Sequence, residues 1–406
     1  MRVAKLDGIK LRILEMIKKL GAADAYQSRI AKELNVSRQL LTPHIKWLLK
    51  RGYIKMYLVF GQKRIALADI SESLPLIAQP EIKPLHYISG NSVASGFLNR
   101  RQEAELLTSL GTMGEIPLKF AYLAEGATNW DRVGSKGDIS IIQRKLIISR
   151  ITQFINVLPK DSRINVVDIG CGNGAPAIMI MEELKRKGFG FAYVPLDVSR
   201  AMLDLAGERV RSKIGGLKVN KIEFDFEHGN FSDRIYDLTG EGEINLLLFL
   251  GNTLGNQSDR NRVLTNFKES MSSKDFLIVA NELTNVARTA RIVAHYNNKD
   301  VSDLVYLTAA RIGIGRADTV YDVSWNERLY QVEMCMVLKK NMEIKIGSGR
   351  VSLEKGERIL LARSKKFTEW AFTKLLSKAG FRTVLFASNE DDSYVLSMLQ
   401  PTRYTN

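Results

Sequence analysis

Residues 164–174 contain Asp168, Gly170, Cys171, Gly172, Asn173 and Gly174 in close succession. A short β-branched run leading into alternate glycines describes a strand, a tight turn and then a helix over 175–187. Without a Cβ, such a turn can pass close beneath a ligand. The helix N-terminus behind it offers N–H donors and partial positive charge, which suit a carboxylate. The spacing Gly-x-Gly-x-Gly differs from the Gly-x-Gly-x-x-Gly of dinucleotide sites, which must seat a pyrophosphate. Asp168 stands two residues before the first glycine and either organises the turn or touches the ligand. A second strand over 191–196 runs into Asp197 and Val198, where a carboxylate can accept from both hydroxyls of a ribose. Together these features fit a nucleoside cofactor with a carboxylate tail and no pyrophosphate. S-adenosylmethionine (SAM) is such a molecule.

Further candidates follow along the chain. A strand-like stretch over 221–226 precedes Asn230 and Phe231, a polar and an apolar group suited to adenine. The run 244–250 is almost wholly apolar, as a buried parallel strand should be, and ends in Gly251, Asn252 and Asn256. Polar groups beyond the carboxyl end of such a strand line the ligand crevice of a doubly wound sheet. Asn252 is read either in that role or as turn chemistry. Tyr122 and Trp130 are aromatic walls for a cation or ring, or plain helix packing. Glu333 alternates with apolar neighbours on an expected strand and faces either a pocket or solvent. Glu282, after the strand over 276–280, has the same ambiguity. No Cys–His or Ser–His–Asp set is present. A sulfonium methyl is already activated, so its transfer needs alignment and exclusion of water, plus a deprotonated acceptor. No catalytic residue is therefore named.

Three of these blocks, 168–174, 195–199 and 248–256, together resemble the histidine-specific methyltransferase domain family. Matches continue through Gly356 to Ile359, Ser364 to Phe367, and Leu375 to Phe381, so that the resemblance spans roughly 115–399. It implies a Rossmann-like SAM-binding core with a second lobe closing over an amino-acid substrate. It also implies that Asn256 faces the substrate amine or carboxylate and that Ser364 lies on the substrate-side strand. Two departures matter. Ala362 stands where the family pattern has the glutamate that recognises imidazole, and residues 120–130 replace a tyrosine-rich stretch. The methyltransferase reading carries over; specificity for histidine does not. The reading is then a SAM-dependent methyltransferase acting on an amino-acid-like amine, a protein or a nucleic acid. The alternative is a transcription regulator whose methyltransferase-like domain senses SAM or another metabolite.

These sites need positioning elements, and the 406 residues suffice for more than one domain. The fold class expected is α/β: a Rossmann-like doubly wound SAM-binding sheet with an accessory lobe, plus an N-terminal α+β winged helix-turn-helix domain. Its parts are a winged helix over 1–70, a linker over 71–90 holding Pro75, Pro80 and Pro84, and a methyltransferase domain over 91–406. Within the last, the core is 160–282, the accessory lobe 95–150 and 283–350, and the C-terminal strands 351–400.

The net charge of +15 is concentrated in residues 1–70, which hold 15 Lys and Arg against 5 Asp and Glu. That imbalance points to an anionic partner. A first helix over 7–20, a second around Ile30 and Leu34, and a third opened by Ser37 resemble a winged helix-turn-helix, with a wing around Gly61. Its recognition helix would present Arg38, Gln39 and Thr42 to a DNA groove, with Lys46, Lys63 and Arg64 near phosphate. Pro43 within that helix should kink it, and protein docking or homodimerisation is the other use of such a unit. Two cysteines and four scattered histidines give no disulfide framework and no metal-ligand spacing. Absence of a long apolar run argues against a membrane span and for a cytoplasmic protein.

Overall fold

The computed structural model describes residues 8–25, 27–36, 38–50, 54–59, 62–67, 97–134, 138–284 and 288–402. The 71–90 linker lies outside the described residues, as do the side chains of Arg38, Gln39, Lys63 and Arg64.

The N-terminal unit is α1 (Gly8–Asp24), α2 (Gln27–Glu33), α3 (Arg38–Lys50) and an antiparallel hairpin of β1 (Ile54–Val59) and β2 (Gln62–Leu67). Ile13, Ile17, Ile30, Leu34, Leu41, Ile45 and Leu48 form its core with Ile54 and Ile65 of the wing. The third helix continues through Pro43. Pro43 is only the sixth residue of that helix, so one early intrahelical donor is lost. Thr42 does not face a groove. It is only 4% exposed and its hydroxyl meets the Gln27 amide, because the apolar spacing of Leu41 and Ile45 turns this side of the helix inward. Lys46 is exposed, as a phosphate contact must be.

The remaining chain continues with α4 (Arg100–Thr108), a π turn (Ser109–Met113), a 3-10 turn (Leu118–Tyr122), α5 (Gly126–Gly134) and α6 (Asp138–Ile155). Next come β3 (Ile164–Ile169), α7 (Ala175–Arg186), β4 (Phe191–Asp197), α8 (Arg200–Lys213), β5 (Ile222–Glu223) and α9 (Ser232–Tyr236). They lead to β6 (Ile244–Phe249), α10 (Thr253–Asn256), α11 (Arg260–Ser270) and β7 (Phe276–Glu282). Then follow α12 (Thr289–Tyr296), α13 (Lys299–Val305), α14 (Leu307–Arg311), β8 (Thr319–Asn326), β9 (Gln331–Leu338), β10 (Met342–Ile346) and β11 (Gly349–Leu353). The chain closes with β12 (Arg358–Lys365), α15 (Glu369–Lys378), β13 (Phe381–Ser388) and β14 (Tyr394–Pro401).

Seven of these strands make one sheet in the order β13-β14-β7-β6-β3-β4-β5. Those from β7 to β5 run parallel, and β14 lies antiparallel to both of its neighbours. The central strands β3 and β6 are buried along their whole length because helices cover both faces. Strand order reverses at β3, flanked by β4 and β6, which fixes the ligand crevice at their carboxyl ends.

A second, three-stranded antiparallel sheet β12-β9-β8 forms the accessory lobe with the β10-β11 hairpin and the helices around it. Two boundaries therefore differ from expectation. The strand β12 belongs to this lobe, not with the core's C-terminal strands, since its cross-strand partner is β9. Conversely, α6 packs through Leu146, Ile147, Ile151 and Phe154 into the core cluster behind β3. The expected strand over 221–226 pairs only at Ile222 and Glu223, after which the chain crosses the carboxyl edge of the sheet. Among the described residues, no helix is long and apolar enough to cross a membrane.

On one face of the sheet, Phe267 meets Phe249 at 4.8 Å between ring centroids, Phe226 at 5.8 Å and Phe231 at 5.9 Å. Replacing Phe267 with alanine opens this aromatic cluster. The expected loss is about 3–5 kcal/mol of stability, read from the shift of the urea unfolding midpoint.

Candidate active site

A cavity of about 1800 Å³ lies at the carboxyl ends of the parallel strands, between the core and the accessory lobe. Asp168, Gly170, Cys171, Gly172 and Asn173 border it, as do Asp197, Val198, Gly251, Asn252, Asn256 and Tyr122. The structure thus gathers around one space most of the residues singled out above.

The glycine turn adopts left-handed backbone at Gly170 (φ 61°), Gly172 (φ 52°) and Gly174 (φ 71°), a region open to glycine at little cost. A Cβ on Gly172 would meet nothing within 4 Å, so this residue presents bare backbone to the cavity. Gly174 serves packing instead. A Cβ there would lie 3.1 Å from the Tyr193 hydroxyl and 3.3 Å from Ala206, so its absence lets α7 and α8 approach. The N-terminus of α7 offers fewer donors than expected. Asn173 Oδ1 accepts from Ala175 N at 3.0 Å, and Pro176 has no N–H. The Asn173 amide donates to Asp131 Oδ1 at 2.6 Å, which ties the turn to α5.

The two acids of this region do different work. Asp168 Oδ2 accepts from the buried Tyr193 hydroxyl at 2.7 Å. Burial pushes its carboxyl up to about 7, a rise that the tyrosine bond only partly offsets. Asp168 thus supports the turn through Tyr193 and also borders the cavity. Asp197 Oδ1 accepts from Ser199 N at 2.9 Å, while its Oδ2 has Cys171 Sγ at 3.9 Å. Burial pushes Asp197 up to about 6, against the pull of the Ser199, Gly172 and Val198 N–H groups. A buried carboxylate at the end of β4, beside a bare glycine turn and bordering the cavity, fits a ribose diol. Burial raises the Cys171 thiol well above its ordinary range, which disfavours the thiolate.

The adenine assignment needs correcting. Asn230 and Phe231 do not border the cavity. Phe231 is 1% exposed and packs among Phe224 and Phe267, while Asn230 Oδ1 accepts from Ser232 Oγ at 2.9 Å. Asp225, Phe226, Glu227 and His228 border it instead. The useful signal was the acid–aromatic pair immediately after β5. Lys119, in the 3-10 turn, is buried among these acids, 2.8 Å from Asp225 Oδ2, 3.3 Å from Glu227 and 2.6 Å from Glu105. Burial opposes charge on Lys119, but the three carboxylates outweigh it and hold its pKa above the ordinary value. Glu105, Glu227 and His228 lie close enough together to hold a metal ion, but the Lys119 ammonium already stands among them.

At the other end, Asn256 donates its amide nitrogen to the carbonyls of Arg363 (3.1 Å) and Asn252 (3.3 Å). Tyr296 of α12 borders the cavity, and its hydroxyl lies 2.9 Å from Ser364 Oγ and 2.8 Å from Lys366 Nζ. Ser364 thus stands behind Tyr296 and does not line the cavity. Lys366 is fully buried and also bonds Glu282, which in turn accepts from Asn252 Nδ2 at 3.1 Å. Burial disfavours its charge, and Tyr296 and Glu282 reverse the balance. Tyr122 stacks on Trp130 with centroids 6.1 Å apart, and both border the cavity.

Glu333 faces away. It accepts from Asn326 and Gln331, each at 2.8 Å, and from Arg358 at 3.2 Å. Strand alternation puts its neighbour Met334 on the cavity side instead. Tyr296, Lys366 and Met334 escaped the sequence reading because only tertiary structure sets Tyr296 and Met334 at the cavity and Lys366 behind Tyr296.

Residues 102–401 match the family of histidine-specific, SAM-dependent methyltransferases, and the chain belongs to that family. Residues 6–55 match the winged helix-turn-helix DNA-binding family. The chain is similar to histidine N-alpha-methyltransferase of Mycobacterium tuberculosis, 22% identical over 301 residues that cover 71% of this chain and 90% of that protein. It is likewise 22% identical over 325 residues to the enzyme of that name from Mycolicibacterium smegmatis, covering 77% and 97%. An N-methyltransferase of Aspergillus flavus, imqF, is 23% identical over 268 residues, 62% of this chain and 71% of that one. The protein is a SAM-dependent methyltransferase, and the residues around Asp197 fit its cofactor.

Asp197 must be ionised to accept from two hydroxyls. Its pKa of about 6 means that SAM affinity falls as pH drops below that value. Calorimetric titrations between pH 5 and 8 should show this. Asp197→Asn should weaken binding by about 1.5–3 kcal/mol and flatten the pH dependence.

Proposed function

We propose that the protein transfers a methyl group from SAM to the nitrogen of a small amino-acid-like amine, and that its winged helix binds duplex DNA. The carrying observation is the single cavity that runs from the glycine turn and Asp197 to Asn256 and Tyr296, so that cofactor and acceptor share one space. SAM supplies a methyl group already activated by its sulfonium. The chain's own residues then orient and exclude. The Asn256 carbonyl oxygen accepts from the acceptor's N–H. The Tyr296 hydroxyl, backed by the Lys366 ammonium, donates to its carboxylate. Tyr122 and Trp130 wall the space and keep water from it. The proposed site of action is the cytoplasm.

Methyl-labelled SAM incubated with the full chain and a cell extract tests the acceptor. Label is expected among small amines. Label in protein or nucleic acid overturns the acceptor class, and no label with SAM bound overturns turnover in favour of metabolite sensing. Asn256→Ala should lower the rate by about 10- to 100-fold, the scale of a lost positioning contact, with SAM affinity kept.

For DNA, the support is the basic N-terminal unit and the exposed Lys46 on α3. Lys46→Ala should weaken binding evenly across sequences and reduce the salt slope by about one. Fluorescence anisotropy at several salt concentrations measures this, and an unchanged slope excludes Lys46 from phosphate.

A further inference from the structure

The acceptor end of the cavity has two unlike sides. Asn256 and Tyr296 supply the polar one. The other is built by cross-strand register in the accessory sheet, where Ala362 stands opposite Met334 and Met334 opposite Val323. Side chains directly opposite in an antiparallel pair share a face, so this row is apolar from strand to strand. Ala362 is 5% exposed, Met334 3% and Val305 of α13 4%, and all three belong to one apolar cluster. All three also border the cavity, together with Leu304. Of the charged groups nearby, Glu333 bonds Arg358 on the opposite face, while Arg363 and Glu115 border the cavity and pair with each other.

We infer that the acceptor is an α-amino acid with an apolar side chain, which lodges against Ala362, Met334 and Val305 while its amine and carboxylate meet Asn256 and Tyr296. The inference rests on the proposed amine methylation and narrows it. A side chain with ring N–H groups would find no acceptor on the side chains of Ala362, Met334 and Val305, and buried donors left unpaired are penalised more than a misfit of size. An aliphatic or phenyl group loses nothing there and gains by leaving water. Ala362 is the position that sets this preference, because a longer polar side chain on it would reach the bound side chain.

The test measures kcat/KM of the full chain with methyl-labelled SAM for leucine, methionine, phenylalanine and histidine. An advantage of at least about tenfold for an apolar amino acid over histidine is expected, the scale on which pockets discriminate by fit. Ala362→Glu should lower turnover of the apolar amino acids and raise that of histidine, whose ring N–H a carboxylate can accept. SAM affinity, read by calorimetry, should be unchanged. Ala362→Ser, a smaller step that folds without a buried charge, should shift the ratio in the same direction. Histidine turned over as well as the best apolar amino acid overturns the inference. So does the case in which none of the four is methylated while another small amine from the extract is, an outcome that leaves amine methylation standing. Failure to bind SAM, or label confined to macromolecules, overturns both.

Discussion

The fully buried ammonium of Lys366 is the point on which the acceptor end of the cavity depends. It binds Glu282 at the end of β7, the Tyr296 hydroxyl on α12 and Ser364 on β12, the strand that ends one residue before it. Through Glu282 it also reaches Asn252 in the loop after β6. Four elements from two lobes therefore converge on one charge. Removing one partner of such a pair leaves the other charge buried and unmatched, at about 3–5 kcal/mol. Gly255 completes the joint: a Cβ there would lie 2.5 Å from the Lys365 carbonyl oxygen, so only glycine lets α10 press against β12. Asn281 Oδ1 accepts from Gly255 N at 3.0 Å and seals the contact. The Asn256 carbonyl owes its position to this joint.

The cofactor end is organised by a division between two buried acids. Asp168 is committed to Tyr193, which packs under Gly174. Asp197 is held by backbone N–H groups at the border of the cavity. Both carboxyls are pushed up by burial, to about 7 and about 6. Folding therefore favours their protonated forms, and their contribution to stability falls as pH rises through that range. Asp225 acts in the opposite sense. Burial opposes its ionisation, but His228 and Lys119 outweigh that and hold it below the ordinary range, so its contribution is lost as pH falls.

Local chemistry made much of this readable from the chain. The glycine turn, Asp197, Gly251 and Asn256 follow from strand ends and turns close in sequence, and β3, β4 and β6 from their apolar runs. Side-chain direction was not readable to the same degree. Thr42 and Glu333 both lie on the elements expected of them, yet each points to the other side. Phe231 and Asp225 are six residues apart, and the early end of β5 decided which stretch met the cavity. The contacts of Lys119 with Asp225 and of Lys366 with Tyr296 span 106 and 70 residues. No local periodicity encodes such a pairing.

Lys119 and Lys366 suggest how the two lobes are matched. Each is a buried ammonium of the accessory lobe that docks on carboxylates beyond carboxyl ends of core strands, Asp225 after β5 and Glu282 at the end of β7. One lysine secures the turn that carries Tyr122, and the other secures Tyr296. The lobe is thus fastened at both ends of the cavity, and the apolar wall of Ala362 and Met334 is suspended between the two points. The charge balance differs between them. Lys366 is matched by a single carboxylate, whereas Lys119 faces Glu105, Asp225 and Glu227 together. Lys119 therefore stands in a local excess of carboxylates, which the neighbouring His228 shares, whereas the Lys366 joint is closed by one ion pair.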